Sequence, residues 1–346
     1  MNFKRADIDF ANIGFQYFKT NANIRYYFKD GKWDKGTLSA DDTFPMPIAA
    51  TCIHYGQAAF EGLKVFETKD GRIVAFRPEE NAKRLQSSAK KMFMEPVPTE
   101  IFMDALNRVV NANKEFIPPY GSHASLYVRP LLIGMTQQVG VKPAKDYMFL
   151  MLVTPVGPYF KNGFQTQKML VVEDLDRAAE FGLGDVKAAG NYAAGLRGHE
   201  RAAQQGFTDV LYLDCKNRKY LDESGPANFV GILKDGTYVT PASHSILPSI
   251  TNMSLRTIAK EDFGWKVEQR PISVDELGNF AEAGCCGTAA VVSPVGEIKY
   301  RDTTFKLYDD GKSAGPCIKK LYDELTGIQY GEKADKHNWL YEIKID

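Results

Sequence analysis

The chain has 346 residues, is 44% hydrophobic and 12% aromatic, and balances 43 Lys+Arg against 43 Asp+Glu. That is ample for a large core and fits two domains at roughly 100–200 residues each. With no basic surplus and no charge block, neither nucleic-acid binding nor a disordered charged tail is expected. Residues 1–9 have no apolar run behind their charges, so no signal peptide is expected. The apolar run at 148–153 is far too short for a membrane span, and the uncharged stretch 43–60 is broken by Pro45, Pro47, His54 and Gln57. The cysteines (Cys52, Cys215, Cys285, Cys286 and Cys317) are odd in number, and no C-x-x-C pair or histidine cluster accompanies them. A disulfide scaffold and a metal site are therefore not expected, and a reducing cytoplasm is the natural setting. Cys285-Cys286 read as buried small hydrophobes.

In chain order, 81–92 has helical spacing, with Leu85, Ala89 and Met92 on one face. The same spacing in 100–113 aligns Ile101, Ala105, Val109 and Ala112. Residues 124–133 and 146–153 read as strands, the second buried. Two prolines and two glycines in 154–167 mark a break, which predicts one domain over 1–155, a linker over 156–167 and a second domain over 168–346. Strands follow at 168–172, 209–213 and 227–233, the last ending at a turn at Asp235-Gly236. Helices are predicted at 192–205, 250–262 (after Ser249, stopping at Gly264), 273–280 and 317–325. The charged and aromatic mix of 332–346 suits docking on the second domain or on another subunit. Ligand sites favour domain interfaces, so the cleft between the halves is the expected site.

The chemistry gathers around Val186-Lys187-Ala188-Ala189-Gly190-Asn191-Tyr192, with Glu223 downstream. A lysine that forms a Schiff base needs small neighbours, so that a flat cofactor can lie against the backbone. It also needs a polar partner for the cofactor's phenolic oxygen and a carboxylate to keep a pyridine nitrogen protonated. These are the protein-side requirements of pyridoxal 5'-phosphate (PLP) chemistry. Each residue also has a plainer reading. Lys187 by itself is a solvated surface lysine. Gly182-x-Gly184-x-x-Lys187 mimics a phosphate loop of a nucleotide-binding protein, but lacks the four-residue spacer and the hydroxyl residue after the lysine. Leu247-Pro248-Ser249-Ile250-Thr251 is either an anion site at a helix start or an ordinary N-cap. The small-residue run from Gly284 to Ala290 either lets backbone amides reach an anion or is a tight loop. Glu223 reads as an exposed acid at a turn. Arg129, alternating with Val128, points either to solvent or inward to an anion such as a substrate carboxylate.

Taken in order, several segments resemble the fold-type IV PLP enzymes, and within them the branched-chain amino acid aminotransferases. They are His54-Tyr55-Gly56 with Phe60-Glu61-Gly62-Leu63-Lys64; Phe76-Arg77-Pro78 through Arg84-Leu85; Ser125-Leu126-Tyr127-Val128-Arg129-Pro130; Val139-Gly140-Val141; Pro155-Val156-Gly157-Pro158-Tyr159-Phe160; Lys187 with Gly190-Asn191-Tyr192; Glu223 with Asn228; and Gly287-Thr288-Ala289. The resemblance covers about Tyr55 to Ser293. It implies a mixed α+β fold, with a small α/β domain and a larger pseudo-barrel domain.

It further implies that Lys187 holds PLP and moves a proton between the substrate Cα and the cofactor's C4′. Glu223 would pair with the pyridine nitrogen and Tyr192 with the phenolic oxygen. Arg84, the backbone at Ile250 and Thr251, and the hydroxyls of Thr251 and Thr288 would hold the phosphate, with Leu247 a further cofactor contact. The backbone amides of Thr288 and Ala289, helped by Tyr127, would take the substrate α-carboxylate, and Arg129 the second carboxylate of glutamate. Phe60 and Tyr159 would line an apolar pocket. Tyr55 and Val141 would reach into a neighbouring subunit's site, which implies a homodimer. The activity implied is ping-pong transamination between L-leucine, L-isoleucine or L-valine and 2-oxoglutarate. One methylene is worth only about 1–3 kcal/mol in such a pocket, so all three amino acids should react.

The alternatives are a D-amino acid aminotransferase, an aminodeoxychorismate lyase, or a PLP-binding protein without turnover. The chain departs from the family pattern at Pro226, Val230, Ser249 and Asn252. Ala290 and Ser293 stand where some relatives carry a redox C-x-x-C pair, so no thiol switch is expected there.

Overall fold

The computed structural model describes residues 3–158, 160 and 163–346. The chain groups into two compact units: Met1–Tyr159 with Val186–Gly190 and Gly327–Asp346, and Phe160–Asp185 with Asn191–Thr326.

The first unit contains β1 (Asn23–Lys29), β2 (Lys32–Trp33), β3 (Thr37–Ser39), α1 (Thr51–Tyr55), β4 (Ala58–Phe60), β5 (Leu63–Glu67), β6 (Ile73–Phe76), α2 (Pro78–Lys91), α3 (Thr99–Ala112), β7 (Ser125–Gly134) and β8 (Tyr147–Val156). Both longer helices match their sequence readings to within a few residues. α2 starts at Pro78 with Glu79 and Glu80 in its first turn and closes on Lys90 and Lys91, charges that complement the helix dipole. The strands form one antiparallel sheet in the order β6-β5-β7-β8-β1-β2, with β3 on β1 and β4 on β7. The predicted stripes Leu85–Ala89 and Ala105–Val109 pack with Phe102 and Leu106 against Ile24, Val65, Ile73, Leu126, Val128, Leu132 and Phe149. Strand alternation then puts Tyr127, Arg129 and Leu131 on the sheet face away from these helices. The register sets Tyr127 opposite Lys64 and Thr154, and Phe60 opposite Leu131.

The tail does not dock as expected. Leu340–Glu342 adds a strand to β6 of the first unit, pairing Leu340 with Phe76 and Glu342 with Val74. The ring of Trp339 packs edge-on against Phe76. An otherwise open sheet edge has unpaired backbone groups, and the tail satisfies them.

The second unit contains β9 (Gln167–Val172), α4 (Ala189–Gln204), β10 (Asp209–Leu213), β11 (Leu221–Ser224), β12 (Asn228–Leu233), β13 (Tyr238–Pro241), α5 (Ile250–Thr257, continued by a wider turn over Ile258–Asp262), β14 (Val267–Arg270), β15 (Phe280–Gly287), β16 (Val291–Tyr300), β17 (Thr303–Lys306) and α6 (Pro316–Gln329). α4 begins with two residues of the first unit. Strands β9, β10, β11, β12, β15 and β16 pair in a closed ring around Met169, Val171, Leu211, Phe229, Ala283, Cys285, Val295 and Ile298, the barrel the resemblance implies. Two readings are corrected here. Residues 273–280 form a single short 3-10 helix, Val274–Asn279, held by a Ser273–Glu276 capping box, and Phe280 already opens β15. The small-residue run is mostly strand: Gly284–Gly287 lie in β15 and only 288–290 turn. Its glycines serve packing, since a Cβ on Gly284 would meet Val292 Cγ1 at 2.9 Å.

Candidate active site

In the first unit the site is built around three successive residues that leave β4. The backbone N–H of Phe60 donates to Lys187 O at 3.1 Å, and Ala59 pairs with Ala188 in an isolated antiparallel bridge. The N–H of Lys187 donates to Ser88 Oγ of α2 at 3.1 Å. The lysine backbone is thus pinned beside β4, with Val186 and Ala188 buried on either side. Its amine stands 4.8 Å from the centroid of the Phe60 ring, and the Arg129 guanidinium lies 4.8 Å from the same centroid. Arg129 Nη2 donates to Tyr127 Oη at 3.0 Å, while its Nε is buried with no hydrogen-bond partner among the described residues. Gly62 admits Tyr127: a Cβ there would lie 2.2 Å from the Tyr127 hydroxyl. Between them, Glu61 holds Arg84 through Nε–Oε1 at 2.7 Å and Nη2–Oε2 at 2.8 Å. Phe60, Tyr127, Arg129 and Lys187 are therefore together, and Arg129 turns inward instead of to solvent.

In the second unit the centre is Glu223. It is not the exposed turn acid of the plainer reading: it lies inside β11 and is 4% exposed. Arg177 Nη1 lies 3.0 Å from Oε1, the Leu247 N–H donates to the same oxygen at 3.3 Å, and Asn228 Nδ2 donates to Oε2. Burial raises the carboxyl from 4.5 to about 7, against the lowering effect of Arg177 and the hydrogen bonds. Asn228 also donates to Leu247 O at 3.1 Å and accepts from Asn252 Nδ2 at 3.2 Å. Asn252 additionally donates to Thr240 Oγ1 and accepts from Tyr238 Oη, while Ser249 Oγ caps the Asn252 N–H at 3.2 Å. Two departures from the family pattern thus have buried roles at the start of α5. Ile250 and Thr251 are its first two residues, whose N–H groups have no intrahelical acceptor by position. Gly287 lies beside the turn that joins β11 to β12: a Cβ on it would sit 3.9 Å from Ala227 Cβ and Pro226 O. Thr288 and Ala289 follow, partly buried, before Val291, a β-branched residue held at φ 63°. A positive φ is costly for such a side chain and marks this turn as strained. Tyr192 is partly buried in the first turn of α4.

Tyr55 and Val141 lie on the surface of the first unit, apart from the Phe60 cluster in their contacts. Tyr55 Oη donates to Val139 O, and Val141 is 82% exposed. Tyr159 lies outside the described residues. Sequence reasoning gave no role to Arg177 or Glu61. The signal for Arg177 was indirect: a carboxylate deep in a barrel wall needs a cation, but nothing local in Asp176-Arg177-Ala178 says which.

Each unit presents groups that suit PLP: the first a partly buried amine on an aromatic face, the second a buried carboxyl that a neighbouring cation would favour ionised and a capped helix start. The chain was also compared with known proteins. A family model described as amino-transferase class IV matches residues 58–298. The chain is 46% identical over 343 residues to the branched-chain-amino-acid aminotransferase of Haemophilus influenzae, covering 98% of this chain and 99% of that one. It is 43% identical over 338 residues to the enzyme of that name from Helicobacter pylori, covering 97% and 98%. The solved structure of a T.th. branched-chain amino acid aminotransferase with pyridoxamine 5'-phosphate superposes with a TM-score of 0.78 at 25% identity, covering 94% of this chain and all of the other.

Proposed function

The chain belongs to the class IV aminotransferases and catalyses PLP-dependent transamination of branched-chain amino acids, and from that premise we propose how its residues divide the work. Lys187 is the residue that binds the cofactor covalently and moves the proton at the substrate Cα. Bound PLP supplies an electron sink for the pair left when the Cα–H bond breaks. Glu223 would hold the pyridine nitrogen; a protonated nitrogen beside it would oppose the burial that raises the carboxyl, each group favouring the charged form of the other. Tyr192 would take the phenolic oxygen, and Arg84, Ile250, Thr251 and Thr288 would hold the phosphate, with Leu247 a further contact.

For the substrate, the amides of Thr288 and Ala289 and the Tyr127 hydroxyl take the α-carboxylate. The Phe60 face, with Tyr159, takes the alkyl chain, and Arg129 takes the distal carboxylate of glutamate. The observation that carries this division is the sharing of one aromatic ring by Lys187 and Arg129, with Arg129 Nε buried and unmatched. An apolar surface with one unsatisfied donor suits both leucine and glutamate. The enzyme works as a homodimer in which Tyr55 and Val141 complete the neighbouring site. Ile48, Val139 and Val141, each more than four-fifths exposed, support that assembly. All five cysteines are free thiols, which supports a reducing, cytoplasmic setting. No helix among the described residues is long and apolar enough to cross a membrane.

Borohydride trapping of the cofactor followed by peptide mapping tests the central assignment. The adduct is expected on Lys187. In the Lys187→Ala variant, the visible absorbance and glutamate formation from leucine and 2-oxoglutarate should both vanish. A label on another side chain, or full turnover in the variant, overturns it.

A further inference from the structure

We propose that Glu61 is a positioning residue for the phosphate end of PLP, acting through Arg84; the proposal rests on the reading of Arg84 as a phosphate ligand. The Glu61 side chain is completely buried, whereas that of Arg84 keeps 11% of its surface exposed. A buried carboxylate is costly unless its oxygens are satisfied, and here they are. Oε1 accepts from Arg84 Nε at 2.7 Å, and Oε2 accepts from Arg84 Nη2 at 2.8 Å, Asn81 Nδ2 at 2.8 Å and, more weakly, the Gly62 N–H at 3.3 Å. Asn81 and Arg84 are one helical turn apart on α2, so one face of that helix presents both donors to the same acid. The strand end anchors Glu61 in turn, its N–H donating to Pro130 O at 2.9 Å.

This fork-to-fork pair engages Nε and Nη2 and so fixes the plane of the guanidinium. With the plane fixed, Nη1 is aimed in one defined direction. Replacing a buried ion pair with apolar residues is often neutral or stabilising, so stability alone is a weak reason to bury this one. The neighbours point to placement instead, since Phe60 meets Lys187 and Gly62 admits Tyr127. A guanidinium oriented in this way recognises phosphate oxygens through aimed hydrogen bonds, a role a lysine's point charge cannot fill.

The test measures binding of PLP and of pyridoxal, which lacks the phosphate, to apoenzyme by absorbance titration. The variants are Glu61→Gln, Arg84→Ala and the double substitution. Glu61→Gln should lower the preference for PLP over pyridoxal about tenfold while leaving pyridoxal binding unchanged. In the Arg84→Ala background it should lower that preference no further. If Arg84→Ala collapses the preference and Glu61→Gln does not, the positioning role is wrong although the phosphate reading stands. If Arg84→Ala leaves the preference intact, the phosphate reading itself fails. An equal loss for both ligands in Glu61→Gln marks a purely structural role and overturns the proposal. Should Glu61→Gln not fold, Asn81→Ala, which loosens one carboxylate oxygen, should lower the same preference by a smaller factor; an unchanged preference there also overturns it.

Discussion

Arg129 and Glu223 are both charged side chains whose surroundings assign their work. Arg129 meets the Tyr127 hydroxyl and two aromatic faces, with a buried Nε unmatched. Removing the guanidinium should therefore cost the reaction with glutamate more than the reaction with leucine. Arg129→Ala is expected to lower kcat/KM for glutamate by roughly 10- to 100-fold, the worth of a hydrogen bond to a charged group, and for leucine by much less. Rapid-mixing measurement of the two half-reactions checks this, and equal losses count against the role. For Glu223 the expectation concerns stability. Its carboxyl lies near 7 in the folded chain against about 4.5 unfolded, so between those values the folded protein holds the extra proton. Its contribution is fully present below about pH 4.5 and is lost as pH rises through 7. Apo wild-type protein should lose stability over that window relative to apo Glu223→Gln, whose profile lacks this step. Thermal melts of both proteins across the range decide it; parallel curves would contradict the burial argument.

At the scale of elements, α5 shows what short-range signals convey. Ser249 before an apolar-periodic run and Gly264 after it predict a helix, and the structure has one there, widened at its end. Ser249→Ala removes the cap on the Asn252 N–H and should cost about 1 kcal/mol of stability. It should also weaken PLP binding, as measured by denaturant midpoint and absorbance titration. A variant as stable as wild type would mean that the cap contributes nothing. The 273–280 segment carries an equally good helix start, yet it makes only a 3-10 turn, because Phe280 is needed in β15 against Phe229. Glu223 shows the same competition. Its local sequence looks like a turn, but pairing of β11 with both β10 and β12 extends it and buries it. Tertiary pairing overrides local preference wherever a strand closes the barrel.

For the whole molecule, the exposed apolar residues of the first unit set the expectation. Val139 is 87% exposed and Val141 82%, and Tyr55 binds the Val139 carbonyl. On the proposed homodimer, Val139→Asp together with Val141→Asp should leave monomers in sedimentation analysis and abolish most transamination. A fully active monomer would refute the shared site.

The sequence alone determined the helices with clean apolar spacing and the order of the motifs, because these depend on residue type and near-neighbour spacing; the class of chemistry it conveyed only through the resemblance of those motifs, taken together, to a known family. Tertiary structure decided which side chains are buried together. Glu61 grips Arg84, Arg177 faces Glu223, Asn252 joins Asn228, and the tail completes the sheet edge beside β6. Each of these pairs joins segments separated along the chain, and strand register brings them within reach; no local pattern encodes that register, since it is set by the fit of whole faces against a common core.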